Sequence, residues 1–390
     1  MRLTREIDLA EECAQDAFVQ ALTSWVDRVP EVPAAWLTTV AKRRAFDAIR
    51  RSATLKRRLP DLLIDDDEDP EASDPLRLIF TCCHPAIAVP SQVALTLRLV
   101  VGLTTTEVAS SLLISESTAA ARITRAKRKI AAASIPFSMP EPAQLRDRLD
   151  AVLTVIQLLF TTGHTGRGAA LWRRERTARA LSLGRMLADL LPDESEVLGL
   201  LAAMVLAEAR GEARVDADGE MVLLAEQDRD LWNVAVARVG LDLAAKALDL
   251  GAVRKSGIGR FAIQAAIAGL HTTASSADAT DWRQIATMYD ALLDRWPSPV
   301  VALNRAAARS LAPGADLAAV LRDDLSPLRA DPHLADYSYL PATAADVLRR
   351  LGRLPEAAAE YERALALTQS DAERRFLQRR LREISAPPAP

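Results

Sequence analysis

Between Gly102 and Ile130 the chain reads GLTTTEVASSLLISESTAAARITRAKRKI, and within it Thr118, Arg122, Arg125 and Lys129 recur at i, i+4, i+7 and i+11. That spacing sets them on one face of an α-helix. Arginine offers a planar fork for guanine edges or phosphate, lysine a point charge for phosphate, and a hydroxyl bonds to either. The chemistry open to such a face is recognition of nucleic acid. Ala119, Ile123, Ala126 and Ile130 make an adjoining apolar face that can hold the helix to a scaffold. Thr104, Thr105 or Thr106 can cap a preceding helix with Val108, Ala109 and Leu112 turned inward, and Ser115 or Ser117 can cap the second one after the LISES turn. A second helix held in this way presents Ser117 and Thr118, at its N-terminal turn, to base edges in a major groove. The competing reading is an αα-hairpin whose basic side is only its wet side.

A second basic run favours the nucleic-acid reading. From Lys42 to Arg58 there are eight basic residues, including Lys42, Arg43, Arg44, Arg50 and Arg51, against one acid, Asp47. From Asp61 to Asp74 there are eight acids and no base, and Arg122 to Lys129 then adds five basic residues without an acid. The net charge of −3 conceals this division. Two basic segments separated by an acidic one suggest two nucleic-acid contacts on separate modules.

Other residues invite an enzyme reading and do not sustain it. Cys82, Cys83 and His84 are adjacent, so they cannot easily close on one tetrahedral ion, and there is no C-x2-C partner pair. Two buried thiols before a helix-ending His-Pro is the better account. The remaining histidines, His164, His271 and His333, are far apart in sequence. GIGR at Gly257 lacks the Gly-Lys-Ser/Thr of a phosphate loop. Asp216 to Glu220 reads as an inter-helix turn, and EQDRDLW as a polar network tying helices together or touching another module. With no nucleophile–base pair and no metal site in view, the chain is expected to need no cofactor and to be no enzyme.

The elements that position these residues are helical. Ala, Leu and Arg abound, aromatics are 4% of the 390 residues, and strand-like alternation is almost absent, so the chain reads as all-α. Leu9, Cys13, Ala17 and Ala21 have helical spacing, and a helix resumes at or just after Pro33. No run of about 18 apolar residues suggests a membrane span, and three cysteines without framework spacing suit a reducing cytoplasm. Four parts are expected: helices over 1–58, an acidic linker over 59–73, a compact helical module over 74–134, and a long helical region over 140–385. The last has the texture of tetratricopeptide-like repeats. Gly352, Ala357, Tyr361 and Ala364 fit one helix pair, Gly314 and Ala319 a second, and DWRQIATMYDALLDRWPSP a further repeat helix.

TTTEVASSLLISESTAAARITRAKRKI resembles region 4 of a bacterial RNA polymerase sigma factor, the reader of the −35 element. DLAEECAQDAFVQAL followed by AAWLTTVAKRRAFDAIRR is similar to region 2 of the extracytoplasmic-function class. RLIFTCCHPAIAVPSQVALTLRLVVGLTT, DGEMVLLAEQDRDLW and DWRQIATMYDALLDRWPSPVVALNRAAA resemble the subgroup with a C-terminal helical-repeat extension. The resemblance implies that Gln15, Asp16, Ala17 and Phe18 lie in a helix docking on the polymerase β′ coiled coil, with β and promoter DNA as further partners. It implies that Lys42, Arg43, Arg44, Arg50 and Arg51 carry the melted −10 strand, through contacts that weaken with salt. Trp36 either stacks on or props open an unpaired base, or is a core tryptophan of the bundle. In this family a further helix normally precedes DLAEE; only seven residues precede Asp8 here, so region 2 is expected to be partial. The extension is expected to modulate activity through a protein or peptide partner, or to brace the fold. The alternatives are a stand-alone helix-turn-helix regulator with a repeat-type sensor, and a repeat scaffold without a DNA role.

Overall fold

The computed structural model describes residues 7–26, 28–51, 70–133, 135, 137–165, 170–368 and 370–385. The fold is all-α, as the composition requires. Among the described residues the only extended pairing is a single bridge between Val215 and Met221. No described helix is long and apolar enough to cross a membrane. The chain divides into two compact units, Met1–Ala109 with Ser115–Val155, and Ser110–Ile114 with Ile156–Pro390.

In the first unit α1 (Ile7–Ser24) packs on α2 (Pro33–Arg51), burying Ile7, Cys13, Ala17 and Ala21 while Leu9 is only half-buried. Small residues on that stripe let the two helices approach closely. Pro33 occupies the first position of α2, where its missing N–H leaves no bond unmade. The expected acidic linker falls largely on residues outside those described, and α3 (Pro70–Cys82) begins at Pro70. α4 (Val89–Leu99) is buried on almost every side, and α5 (Thr105–Ser111) and α6 (Glu116–Ala132) follow. Cys82 and Cys83 lie in the core as free thiols. Burial pushes Cys83 up to about 12 and Cys82 in the same direction, which keeps both uncharged and unreactive. Arg148, on α7 (Pro142–Thr165), is buried beside them and donates to the Phe80 carbonyl at 2.9 Å.

The second unit is arranged around α9 (Ser195–Glu208), whose sequence SEVLGLLAAMVLAE is apolar all round and is accordingly buried all round. It packs against α8 (Ala170–Leu190), α10 (Val234–Ala252) and α11 (Arg260–Thr273). α12 (Trp282–Arg295) pairs with α13 (Pro299–Leu311), and α16 (Tyr339–Arg350) with α17 (Leu354–Leu367) across a turn at Gly352, φ +72°. The helix expected after Gly314 is interrupted. Short α14 (Leu317–Ala319) and α15 (Ser326–Leu328) flank a π-helical turn, Val320–Leu325. Asp324 in that turn is buried and accepts from Arg305 at 3.1 Å and Arg309 at 2.9 Å, so the wider turn sets a carboxylate against two α13 guanidiniums.

The DGE turn and the EQDRDLW stretch belong to one segment, 211–233, and its polar contacts lie within the second unit. Asp216 Oδ1 accepts from the N–H groups of Asp218 (3.0 Å) and Glu220 (2.8 Å), and Gly219 adopts φ +74°. Glu220 pairs with Arg379 and Glu226 with Arg380, both on α18 (Asp371–Ser385). Met221 and Leu223 pack on the core shared by α16, α17 and α18. The segment therefore clasps the last helix of the unit to the region beside α9.

Candidate nucleic-acid interface

The helix pair α5–α6 is built by its caps. The Thr104 N–H donates to Glu107 Oε2 at 2.8 Å, and the Glu107 N–H donates back to Thr104 Oγ1 at 3.2 Å. This is a reciprocal capping box, which satisfies two backbone donors at once. Ser115, extended at φ −68° and ψ 151°, starts α6 by accepting from the Thr118 N–H at 3.2 Å. The Thr106 hydroxyl donates to Glu116 Oε1 at 3.1 Å, joining the first turns of the two helices. Leu113 takes a left-handed φ of +52° in the turn between them, a conformation rare for leucine.

α6 is divided lengthwise. Ala119, Ile123, Ala126 and Ile130 are all buried, the side on which α6 meets α4. Ser117, Arg125 and Lys129 are exposed, and Arg122 and Thr118 are half-buried. Thr118 is partly committed to the cap, since its hydroxyl lies 2.7 Å from Ser115 Oγ. Arg125 Nε donates to the Ala121 carbonyl at 3.2 Å, which steadies the base of a side chain whose head stays in water. Arg128 is exposed as well, a further cation close to this face.

Lys127 does not join them. It lies on the opposite side of α6, half-buried, with Nζ 2.8 Å from Asp8 Oδ1 and 2.8 Å from Glu11 Oε2 on α1. Burial alone would lower its pKa, but the two carboxylates outweigh burial and hold it above the usual lysine range. Arg98 adds a looser contact to Glu11 at 3.7 Å.

On α2 the side chains of Lys42, Arg43 and Arg44 are exposed, backed by buried Val40 and Ala45. Arg50 and Arg51 close the helix, and their side chains lie outside the described residues. Trp36 is half-buried and meets Trp25 edge-to-face, with ring centroids 5.2 Å apart. It is thus propped against Trp25, just past the end of α1, with part of its ring still in solvent. On α1, Gln15, Asp16 and Phe18 are all exposed, while Ala17 is buried. Phe18 is 60% exposed, Val19 62% and Leu22 79%, an apolar strip left in water.

Each expected contact residue with a described side chain is therefore at least partly solvent-accessible. The pattern on one helix could not reveal that Lys127 belongs to α1 rather than to solvent. His84 is half-buried, and its Nδ1 accepts from the Ala86 N–H at 3.1 Å, so the CCHP stretch is taken up by the core and by a turn.

Comparison with known proteins divides the chain in the same order. A family model for sigma-70 region 2 matches residues 1–54, and one for sigma-70 region 4 matches residues 77–130. A third, for a family of unknown function (DUF6596), matches residues 148–248. An uncharacterized protein of Rhizobium meliloti (strain 1021) is 37% identical over 403 aligned residues, which cover 100% of this chain and 93% of that protein. No solved structure matches the chain significantly.

Proposed function

This chain belongs to the sigma-70 family, whose regions 2 and 4 it carries, and we propose that it is an extracytoplasmic-function member with a modulatory helical extension. Its general role is that of an RNA polymerase sigma factor, a subunit that directs initiation on promoter DNA. In the proposed reading α6 enters the major groove of the −35 element. Ser117, Thr118, Arg122 and Arg125 then approach base edges and Lys129 a phosphate. Lys42, Arg43, Arg44, Arg50 and Arg51 follow the phosphates of the melted −10 strand, and Trp36 offers the exposed part of its ring to an unpaired base. Gln15, Asp16 and Phe18 dock on the β′ coiled coil, a role that gives the exposed Phe18–Leu22 strip a partner.

The observation that carries this reading is the lengthwise division of α6, with one stripe buried and a basic face in solvent behind two capped helix starts. The extension, in this reading, acts on the sigma modules through its own helices or a bound partner.

The test is a pull-down of the full chain with purified bacterial core RNA polymerase, followed by run-off transcription from a genomic promoter library. Binding together with transcription from a two-element promoter set is expected. Failure to bind polymerase, combined with a two-fold symmetric footprint on DNA, would mean a stand-alone helix-turn-helix regulator instead.

A further inference from the structure

The end of α9, segment 211–233 and the C-terminal end of α11 bring several cations together around one tryptophan. Arg210, Arg214, Arg229, Trp232 and His271 converge there. The Arg229 guanidinium stands 4.4 Å and that of Arg210 5.8 Å from the Trp232 ring. Arg229 has a structural task, since its Nη1 donates to the carbonyls of His271 (3.2 Å) and Ala274 (2.6 Å) where α11 runs out. Arg210 has none beyond its stacking. Among the described residues neither Arg210 nor Arg214 makes a side-chain hydrogen bond or an ion pair. The carboxylates that act on Arg214 are Glu208 and Glu373, neither through a hydrogen bond. Both Glu373 oxygens already accept, from the hydroxyls of Tyr339 and Thr368.

The neighbours of these cations add unused donors. Trp232 Nε1 and His271 Nδ1 are buried and have no hydrogen-bond partner among the described residues. Trp232 is 8% exposed, whereas Arg210, Arg214, Arg229 and His271 all keep partial contact with solvent. Arg210, Arg214 and His271 are nevertheless strongly desolvated. Burial, reinforced by Arg214 and Arg229, brings Arg210 down to about 10, and burial with Arg210 and Arg229 brings His271 down to about 4. The partly exposed cations set over the buried Trp232 ring outline a recess. At neutral pH the arginines stay charged, so the recess holds positive charge at a free-energy cost that a partner of opposite sign would offset.

We propose that this recess is a binding site for a small oxyanion, carried as a carboxylate or a phosphoryl group. The guanidinium fork of Arg210 matches two oxygens of such a group. Trp232 Nε1–H supplies a further donor, and neutral His271 supplies another in the tautomer protonated at Nδ1. Bound there, the oxyanion would bridge segment 211–233 to α11. The inference does not depend on how the chain reads promoters, and its test needs neither polymerase nor DNA.

The experiment titrates the purified full chain with inorganic phosphate and, separately, with succinate, holding ionic strength constant with sodium chloride. Thermal unfolding and tryptophan fluorescence are both followed. A saturable rise in melting temperature with either anion is expected, and the stronger response identifies a phosphoryl or a carboxylate ligand. Arg210→Gln should weaken the response about tenfold or more, and without anion it should melt at or above the wild-type temperature because an uncompensated cation is gone. Trp232→Phe keeps the ring, loses one donor, and should weaken the response less. The proposal is overturned if neither anion acts beyond chloride, or if Arg210→Gln responds as wild type does. It is also overturned if Arg210→Gln alone melts several degrees lower, for then Arg210 is a stacking strut and nothing more.

Discussion

Lys127 Nζ on α6 lies 2.8 Å from both Asp8 Oδ1 and Glu11 Oε2 on α1, so a helix of region 4 is ion-paired to a helix of region 2. Along α1, Asp8, Glu11, Gln15, Phe18 and Leu22 follow one another at steps of three and four, which puts them on one face. Gln15 and Phe18, two of the three proposed polymerase-docking residues, thus share a face with the acids that hold α6. The −35 and −10 positions are about 25 base pairs apart, or about 85 Å at 3.4 Å per pair. Two modules in ion-pair contact cannot span that distance, and on the proposed reading they part when promoter is engaged. Half-exposed ion pairs are worth up to about 1 kcal/mol each. The double variant Asp8→Asn/Glu11→Gln should therefore raise the affinity of the free chain for a promoter carrying both elements by about two- to fivefold. Fluorescence anisotropy with a promoter duplex measures it, and an unchanged affinity would show that α1 does not restrain α6.

The recognition face gives a sharper expectation. Arg122→Ala and Arg125→Ala should each weaken promoter binding by the holoenzyme by about 1–3 kcal/mol where a base contact is lost, and should relax specificity at that position. Lys129→Ala should weaken binding evenly across sequences and lower the salt slope by about one. Quantitative footprinting over a salt series separates the two patterns. If Arg122 and Arg125 can both be replaced without effect, α6 does not read the −35 element.

The start of α6 can be tested without DNA. Ser115→Ala removes the acceptor for the Thr118 N–H and should cost about 1 kcal/mol locally. Hydrogen exchange of the first-turn amides of α6 should accelerate accordingly, while protection in α9 stays the same. Equal exchange in the two proteins would mean that tertiary packing alone fixes that turn.

Much of this interface was legible in the sequence because period and capping are local properties. Ala119, Ile123, Ala126 and Ile130 are buried as their spacing required, and the cap of α5 falls on Thr104, one of the three threonines able to supply it. What was not legible depended on partners distant in the chain. Lys127 counted as one cation among five until α1 came to lie beside it. Thr118 lent its hydroxyl to Ser115 rather than leaving it wholly free. The helix after Gly314 has ordinary helical spacing, and nothing in that spacing announces the π-helical turn, because the turn is tied to burial of Asp324 against Arg305 and Arg309. The sequence of segment 211–233 suggested a network but not its destination, α18.

Gly199 marks a close approach of two helix backbones in the extension. A Cβ built there would stand 2.5 Å from the Ala262 nitrogen and 2.7 Å from the Phe261 carbonyl carbon, both backbone atoms that cannot swing aside. Gly199→Ala must push α9 and α11 apart and disturb the start of α11, where Glu196 accepts from the Phe261 and Ala262 N–H groups at 3.1 Å each. Overpacking of this kind costs about 1–3 kcal/mol. Urea unfolding should register that loss in the second unit. Unchanged stability would mean that α9 and α11 can separate freely.

His271 predicts how stability depends on pH. Burial, with Arg210 and Arg229 nearby, lowers its pKa from the ordinary 6.5 to about 4, and its ring packs edge-to-face on Trp282 with centroids 5.1 Å apart. The folded state therefore holds the imidazole neutral at a pH where the unfolded chain protonates it. Below 6.5 the unfolded state binds the extra proton, so this residue's contribution to stability falls as pH drops and levels off near pH 4. The full loss is on the order of 3 kcal/mol at 1.36 kcal/mol per unit. His271→Phe retains an aromatic ring against Trp282 and removes the titration. Denaturant unfolding at pH 7.5 and pH 4.5 should show the stability difference between wild type and variant shifting by about 2–3 kcal/mol in favour of the variant at the lower pH. Comparing the two proteins cancels the carboxylates that titrate in both. A difference that does not move between the two pH values would mean that His271 accepts its proton in the folded protein as readily as in the unfolded chain.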